Sequence, residues 1–193
     1  TNLDVTQNTA LTFLECSSHQ LTNLDVSQNI ALTSLWCSYG QLTNLDVTQN
    51  TALYELQCDV NQLTNLDVTQ NTALASLWCQ DNQLTSLDVT QNNALTVLLC
   101  NNNQLTSLDV SQNTAFTHLD CKNNQLTCLN IKNGNNYNYY LFRAQYNPNL
   151  FCIEVDNVAW STTYWTVGDN NIDAGASFST ACNNPCVVGV ANA

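Results

Sequence analysis

The chain has 193 residues, of which 44% are hydrophobic and 9% are charged, a length and composition that suit one domain with its own core and exclude a disordered acidic tail. Its 15 Asp and Glu residues outnumber its 3 Lys and Arg residues and give a formal net charge of -12. This charge argues against binding to nucleic acid or to an anionic membrane, and no apolar run is long enough for a membrane span.

A fixed 21-residue period runs through residues 1–131. Units begin at Leu21, Leu42, Leu63, Leu84, Leu105 and Leu126. A short fixed period is typical of a solenoid, in which each unit forms one coil and completes its core against its neighbours. The chain opens inside a unit and closes on a linker-like segment, 187–193. We therefore expect it to be part of a longer protein with a further domain downstream.

Each unit contains two similar halves. In the unit 42–62, one half holds Leu-Asp-Val at 45–47 and the other holds Leu-Gln-Cys at 56–58. Alternate residues of a strand point to opposite faces, so the apolar residues of each triplet are predicted to point inward and Asp46 and Gln57 outward. Two short strands per coil are predicted to stack into two parallel sheets that face each other.

The second half, L-x-x-L-x-C-x-x-N-x-L, is similar to the conserved segment of leucine-rich repeats. The doubled unit resembles the nested 21-residue class found in bacterial surface proteins. This resemblance implies a mostly β, right-handed solenoid with two short parallel strands per coil and a C-terminal cap. Residues 147–182 also resemble the end segment of secreted flavobacterial repeat proteins, which implies that residues 132–186 form the cap.

Ten cysteines fall into two groups. One group recurs every 21 residues: Cys16, Cys37, Cys58, Cys79, Cys100 and Cys121. This spacing suits neither zinc, whose ligands usually come in close pairs, nor disulfides between in-register strands, so buried free thiols are predicted. The other four, Cys128, Cys152, Cys182 and Cys186, allow three pairings. The family resemblance implies a Cys152–Cys182 bond, which is typical of an oxidising, extracellular compartment.

Two asparagine columns are predicted to be structural, because Asn can satisfy backbone groups at bends and stacked copies can bond to one another. The first half contributes Asn8, Asn29, Asn50, Asn71, Asn92 and Asn113. The second half contributes Asn61, Asn82, Asn103 and Asn124. His19 and Gly40 stand in the second column where Asn is expected, so looser turns are predicted there.

An outward carboxylate column consists of Asp4 and its repeats Asp25, Asp46, Asp67, Asp88 and Asp109, and ends at Asn130. Carboxylates one coil apart repel each other. Neighbouring Ser, Thr and Asn side chains can offset this by hydrogen bonds. The alternative is that divalent cations such as Ca²⁺ bind along Asp25 to Asp109, since hard cations take oxygen ligands. No cofactor is otherwise required.

The outward positions of the L-x-C half vary while the core positions do not. The variable residues predicted to form a ligand-binding face are Phe13, Glu15, Trp36, Tyr39, Glu55, Gln57, Trp78, Asp81, Leu99, His118 and Asp120. Variation confined to one face of a regular scaffold indicates a binding surface, and exposed Trp36 and Trp78 are favoured contact residues. Drift on an unconstrained surface is the alternative.

After Ile131 the period fails. Residues 150–155 and 158–167 are predicted to form further strands. A group of aromatic residues is predicted to cover the last coil: Tyr137, Tyr139, Tyr140, Phe142, Trp160 and Trp165. Asp169-x-Asn171-x-Asp173 resembles the start of a calcium loop, but the Gly and Glu that would complete such a loop are missing.

No catalytic motif is found, so the sequence indicates a protein that is not an enzyme. The predicted function is recognition or adhesion by a secreted or bacterial cell-surface protein, with an extracellular protein or a polysaccharide as partner and no insertion into a membrane. The alternative is a structural subunit that assembles head to tail. The threonine column that begins at Thr22 also raises an ice- or mineral-binding hypothesis.

Overall fold

A computed structural model describes residues 2–17, 20–183 and 186. Its regular structure is mostly β. The strands are β1 (Asn2–Asp4), β2 (Phe13–Glu15), β3 (Asn23–Asp25), β4 (Ser34–Trp36), β5 (Glu55–Gln57), β6 (Ser76–Trp78), β7 (Val97–Leu99), β8 (Ser107–Asp109), β9 (His118–Asp120), β10 (Cys128–Asn130), β11 (Leu141–Arg143), β12 (Cys152–Glu154) and β13 (Ser177–Ser179). A 3-10 turn, Asn136–Asn138, and one short helix, α1 (Val158–Tyr164), complete the described part.

The L-x-C halves of successive coils form one continuous parallel sheet. Within the described residues its order is β2, β4, β5, β6, β7, β9 and β11. Each residue pairs with its copy one unit away, as Leu35 pairs with Leu56 and Leu56 with Leu77. We call this the L-x-C sheet. The in-register stacking places equivalent side chains of neighbouring coils about 4.8 Å apart.

The Asp halves form a less continuous arrangement. β1 pairs with β3, and β8, β10, β12 and β13 form a second parallel group. Residues 44–46, 65–67 and 86–88 of the intervening coils have no regular strand, which differs from the two unbroken sheets predicted. Their apolar residues are nevertheless buried, as Leu45 and Val47 show. The inward and outward alternation therefore holds, and the predicted mostly β solenoid is confirmed.

The first asparagine column connects the coils through side-chain donors. Asn50 Nδ2 donates to the carbonyl oxygens of Val26 and Asn29, each at 2.9 Å. Asn71 repeats this pattern one coil further on. These bonds satisfy backbone carbonyls that leave the sheet at the bend. The column is structural as predicted, although its side chains bond to backbone rather than to one another.

The second asparagine column uses both ends of its amide. Asn61 Oδ1 accepts from the Leu42 N–H at 3.0 Å, and its Nδ2 donates to the carbonyls of Cys37 and Cys58. Gly40 has no side chain to form the equivalent bonds in the preceding coil, and His19 lies outside the described residues. Asn147, beyond the periodic region, accepts from the Leu126 N–H and so extends the column.

The repeating cysteines are free and buried. Burial raises the pKa of Cys16, at the first coil, to about 11 and that of Cys79 to about 12. Thiols with such pKa values carry almost no thiolate at neutral pH and are poor nucleophiles. The prediction that they act as small apolar fillers is confirmed.

The coils continue past the end of the 21-residue period. β11 pairs with β9, β12 pairs with β10, and β13 pairs with β12. The predicted strand at 150–155 is present as β12. The strand predicted at 158–167 is wrong, because Val158–Tyr164 is the helix α1, whose first turn is capped by Asn157 Oδ1 accepting from the Trp160 N–H.

The cap is held by two disulfides among the described residues, Cys152–Cys182 and Cys128–Cys186. The first is the pairing that the family resemblance implied. The division at residue 131 and the linker 187–193, which lies outside the described residues, stay predictions.

An aromatic cluster covers the end of the core. Trp165 packs on Phe142 with ring centroids 4.3 Å apart and on Trp160 at 5.2 Å. Tyr139 packs against Trp165 at 5.6 Å. Tyr140 does not cover the last coil as predicted, because 85% of it is exposed. Tyr140 lies directly before β11, and its side chain packs against His118 of the neighbouring coil.

A column of residues with left-handed backbone marks the turn after every L-x-C strand from β4 on. It contains Tyr39, Val60, Asp81, Asn102, Asn123 and Tyr146, with φ between 52° and 60°. Asn and Asp adopt this conformation readily, whereas a β-branched residue is strained there. Val60, at φ 52°, is therefore the least suited member of the column.

Replacing a ladder asparagine should strongly destabilise the fold. Asn71→Ala removes the donor that serves the Val47 and Asn50 carbonyls in a fully buried setting. We expect the free energy of unfolding in urea to fall by about 2 kcal/mol, because two buried hydrogen bonds worth about 1 kcal/mol each are lost while both carbonyls keep a backbone N–H donor. The control Asn65→Ala, at an exposed position, should change it by less than about 0.5 kcal/mol. Equal effects of the two variants would contradict the structural role.

Relieving the strained turn should stabilise the chain. Val60→Asn is expected to raise the free energy of unfolding by about 1 kcal/mol, because Asn tolerates a positive φ. The reciprocal variant Asn102→Val should lower it by at least as much. Urea unfolding of both variants checks this, and a destabilised Val60→Asn protein would show that the Val60 side chain has a packing role that outweighs its backbone strain.

Candidate recognition surface

The outer face of the L-x-C sheet carries two columns of variable side chains, one before and one after the central apolar residue of each strand. The first column is Phe13, Ser34, Glu55, Ser76, Val97, His118 and Leu141. The second column is Glu15, Trp36, Gln57, Trp78, Leu99, Asp120 and Arg143. We call this the variable face. All predicted ligand-binding residues within the strands fall on it, since the two-residue alternation of each strand holds.

The two tryptophans of the variable face, Trp36 and Trp78, were predicted to be exposed but are half-buried. Trp36 packs edge-on against Phe13, with ring centroids 5.1 Å apart, and Trp78 lies beside Gln57 and Leu99 in the sheet register. Neighbours one coil away cover part of each ring. The Nε1 atoms of both indoles are buried and have no hydrogen-bond partner within the described part of the chain. The exposed part of each indole is therefore carbon.

Glu55 lies at the centre of this region. It is flanked in register by Ser34 and Ser76, whose side chains are small. Its carboxylate accepts a hydrogen bond from Gln57 Nε2 at 2.8 Å, and Gln57 is in turn flanked by Trp36 and Trp78. Three adjacent strands thus present a carboxylate between two serines beside an amide between two indoles.

The turns after the strands extend the variable face. Tyr39 and Asp81 are exposed there, and both have left-handed backbone. Asn102 Nδ2 donates to Asp81 Oδ1 at 2.7 Å, and Asn123 Nδ2 donates to Asn102 Oδ1 at the same distance. This side-chain ladder orients the Asp81 carboxylate at the edge of the sheet.

At its C-terminal end, the variable face is more buried and has a paired carboxylate, unlike the region around Glu55. Asp120 was predicted to be outward and available, but only 5% of it is exposed. The guanidinium of Arg143, one coil further on, lies 3.5 Å from its carboxylate. Desolvation raises the pKa of Asp120, against the opposing effects of Lys122 and Arg143. The His118 ring packs against Tyr140, with centroids 5.9 Å apart.

Several surface residues escaped the sequence prediction. Tyr54, directly before β5, is 61% exposed beside Glu55. Leu141 and Arg143 extend the two columns because β11 joins the sheet in register with β9. The signal was present, since Phe142, Ala144 and Asn147 follow the L-x-C-x-x-N spacing. A two-residue insertion shifts these three residues out of the 21-residue period, so a search for that period did not find them.

The aspartate column lies on the other side of the coils and forms tight local turns. Asp46 Oδ1 accepts from the Thr48 N–H at 2.9 Å and from the Thr48 hydroxyl at 2.7 Å. These bonds lower the pKa of Asp46, and Ser27 donors do the same for Asp25. Among the described residues, no three His, Cys, Asp or Glu side chains form a group that could hold a metal ion. Cation binding along this column stays a prediction.

The calcium-loop resemblance in the cap has a structural explanation. Asp173 accepts from the backbone N–H groups of Tyr146 and Asn147, and Asn171 Nδ2 donates to the Phe142 carbonyl. Asp169 accepts from the Thr166 hydroxyl. The three side chains thus bond to different segments, and two of them hold the cap loop against the end of the L-x-C sheet.

In the described part of the chain, no helix is long and apolar enough to cross a membrane. The stacked coils, with L-x-C strands on one side and asparagine bends between them, define a leucine-rich repeat solenoid. No protein-family model matches the chain, and no curated protein is similar to it. Solved structures do match it.

The functional domain of InlJ from Listeria monocytogenes, described as including a cysteine ladder, is 37% identical with a TM-score of 0.71. The match covers 79% of this chain and 36% of that one. The leucine-rich repeat protein LIC12759 from Leptospira interrogans is 24% identical with a TM-score of 0.65, over 78% of this chain and 44% of that one. This chain therefore spans less than half of either structure.

A third match is the leucine-rich repeat ectodomain of the plant receptor kinase GASSHO1/SCHENGEN3 from Arabidopsis thaliana, in complex with Casparian Strip Integrity Factor 2. It is 17% identical with a TM-score of 0.63, over 77% of this chain and 21% of that one. These structures establish the leucine-rich repeat fold and place the chain among bacterial and eukaryotic repeat domains.

The Asp column should make stability depend on acid pH. The lowered pKa of Asp46 adds stability that is present above the unfolded pKa, about 4, and is lost as pH falls through the folded pKa. Asp46→Asn should keep the turn, as Asn130 does by accepting from the Lys132 N–H. We expect the variant to melt at a lower temperature than the wild type near pH 7, and the two melting temperatures to converge as the pH falls from about 5 to about 2, because only the wild type has a carboxylate to protonate. Parallel pH profiles would contradict this role.

Proposed function

We propose that this chain is the recognition module of a secreted or cell-surface bacterial protein, and that it binds an extracellular protein through the variable face. The observation that carries the proposal is the contrast between the two sides of the coil. The side chains of the variable face change from coil to coil over an unchanging core, whereas the Asp side repeats nearly the same residues. A regular scaffold with one variable face is suited to partner recognition.

The chemistry of the variable face supports a protein partner. Trp36, Trp78 and Tyr54 provide rigid aromatic surface, which is enriched where interfaces gain most of their binding energy. Because the indole Nε1 atoms are buried, the tryptophans offer apolar contact rather than a hydrogen bond to a sugar hydroxyl. The complex formed by the plant ectodomain is consistent with the use of this fold for binding.

The cap supports an extracellular location. Two disulfides connect β10 and β12 to the segment that follows β13, and such bonds persist in oxidising compartments. The six ladder thiols are compatible with that compartment because they are buried and their strands are in register, a geometry unsuited to cross-linking. Assignment to the nested, flavobacterial type of surface protein is part of the same proposal.

Truncating the aromatic anchors should weaken partner binding. In a screen of immobilised extracellular-matrix proteins and soluble polysaccharides, we expect a protein ligand whose affinity falls about 30-fold in Trp36→Ala/Trp78→Ala, as for interface hot spots. Tyr54→Ala, at an exposed position, should weaken the same ligand without affecting the melting temperature. The matched control Thr43→Ala/Thr64→Ala changes two exposed residues outside the variable face and should bind like the wild type.

Three other results of these experiments would contradict the proposal in whole or in part. A polysaccharide that loses binding in the tryptophan variant would keep the face but change the ligand class. Light scattering that shows polymers growing with concentration would favour head-to-tail assembly, for which the edge strands β1 and β2 provide backbone donors and acceptors. A ligand indifferent to all the aromatic variants would place recognition elsewhere.

A further inference from the structure

The charges of this chain are unevenly distributed. All three basic residues, Lys122, Lys132 and Arg143, lie after residue 121. On the variable face, the coils before residue 104 therefore carry acidic residues without a Lys or Arg to compensate them. Glu15, Glu55 and Asp81 are at least partly exposed there, whereas Asp120 at the other end is neutralised by Arg143. The N-terminal part of the face thus presents negative charge to a partner.

Glu55 is the carboxylate best placed to receive a cation. Its flanking residues in the sheet are serines, so no bulky side chain lies between it and an approaching group. Its bond from Gln57 holds it in place and uses one of several acceptor sites of a carboxylate. In the described structure, no Lys or Arg forms an ion pair with it.

The neighbouring indoles also favour a cationic, partly apolar partner. Trp36 and Trp78 lie one strand to either side of Gln57, about 10 Å apart. With both Nε1 atoms buried, their exposed surface is ring carbon, which favours apolar contacts and attracts cations to the ring faces. The same Ser-Leu-Trp-Cys sequence occurs in both coils, at 34–37 and 76–79. The pattern is therefore repeated on both sides of Glu55.

We propose that β4, β5 and β6 bind a basic, partly apolar segment of the protein partner, with an Arg or Lys side chain at Glu55 and apolar side chains on Trp36 and Trp78. This inference rests on the proposed function and specifies its partner. Charge complementarity selects the occupant, because an acidic segment would face uncompensated carboxylates. Tyr54, exposed beside Glu55, extends the contact area.

Three labelled synthetic peptides of equal length test the proposal by fluorescence anisotropy. The first places Arg and Leu in a Gly-Ser background, the second has Glu for Arg, and the third has Ser for Leu. We expect the Arg/Leu peptide to bind at least about 10-fold more tightly than the other two. Its affinity should fall between about 50 mM and about 300 mM NaCl, since added salt screens exposed charges.

Variants separate a specific site from bulk attraction. Glu55→Gln is close in shape, keeps the acceptor for Gln57, and should weaken the Arg/Leu peptide about 10-fold. Trp78→Ala should weaken it similarly, and Tyr54→Ala serves the same purpose if Trp78→Ala does not fold. The control Asp25→Asn/Asp46→Asn/Asp67→Asn removes more charge from the other side of the coils, at positions where Asn keeps the turn. It should change the affinity less than about 2-fold.

The outcomes are distinct. Equal weakening by Glu55→Gln and by the triple control, or no binding of the Arg/Leu peptide, would overturn the proposed cationic site. A protein ligand from the screen that depends on Trp36 and Trp78 but is indifferent to Glu55→Gln and to salt would also overturn it. That last result would leave recognition by the variable face intact, so the two proposals fail separately.

Discussion

The structure depends on hydrogen bonds from buried asparagine side chains to backbone carbonyls of the preceding coils. From Asn29 on, each Asn of the first column, such as Asn50 or Asn92, donates to two carbonyls at the bend, in addition to the backbone N–H that each carbonyl accepts. The second column adds an acceptor for the first N–H of its own unit, as Asn61 does for Leu42. Since each bond spans the distance between coils, a changed side chain or bend disturbs both neighbours. This explains why one half of the unit is nearly invariant.

That constraint leaves the outer face of the L-x-C sheet free to vary. The inward Leu and Cys of the strands fill the core, whereas outward residues such as Glu55 and Gln57 bond to each other and not to the backbone of a neighbouring coil. Because copies stand in register, a few substitutions in separate coils become neighbours: Trp36 and Trp78 on either side of Gln57, Glu55 between two serines. Single substitutions at positions 21 residues apart in the sequence can thus form one continuous surface for a partner.

The cap keeps the coil geometry although its sequence departs from the period. Asn147 repeats the bonds of the second asparagine column, and Ile153 pairs with Leu129. Asp173 satisfies two backbone N–H groups near the end of the L-x-C sheet, and Trp165 packs on the last core residues. Disulfides then connect β10 and β12 to the segment that follows β13. The end of the stack is closed by side-chain bonds and aromatic packing instead of further repeats.

The sequence by itself determined the period, the inward and outward alternation, the buried cysteine column and the location of the variable face. Each follows from local spacing, because a fixed period places like residues side by side. Tertiary structure decided what depends on neighbours outside the period. Segment 158–164 forms a helix because Asn157 caps it and its aromatic residues pack on the cap. Asp120 is buried because Arg143 arrives from an irregular coil, and Trp36 is partly covered because Phe13 lies one coil away. Burial and charge pairing depend on which side chains come into contact. Those contacts are decided by the path of the chain through neighbouring coils and through the cap.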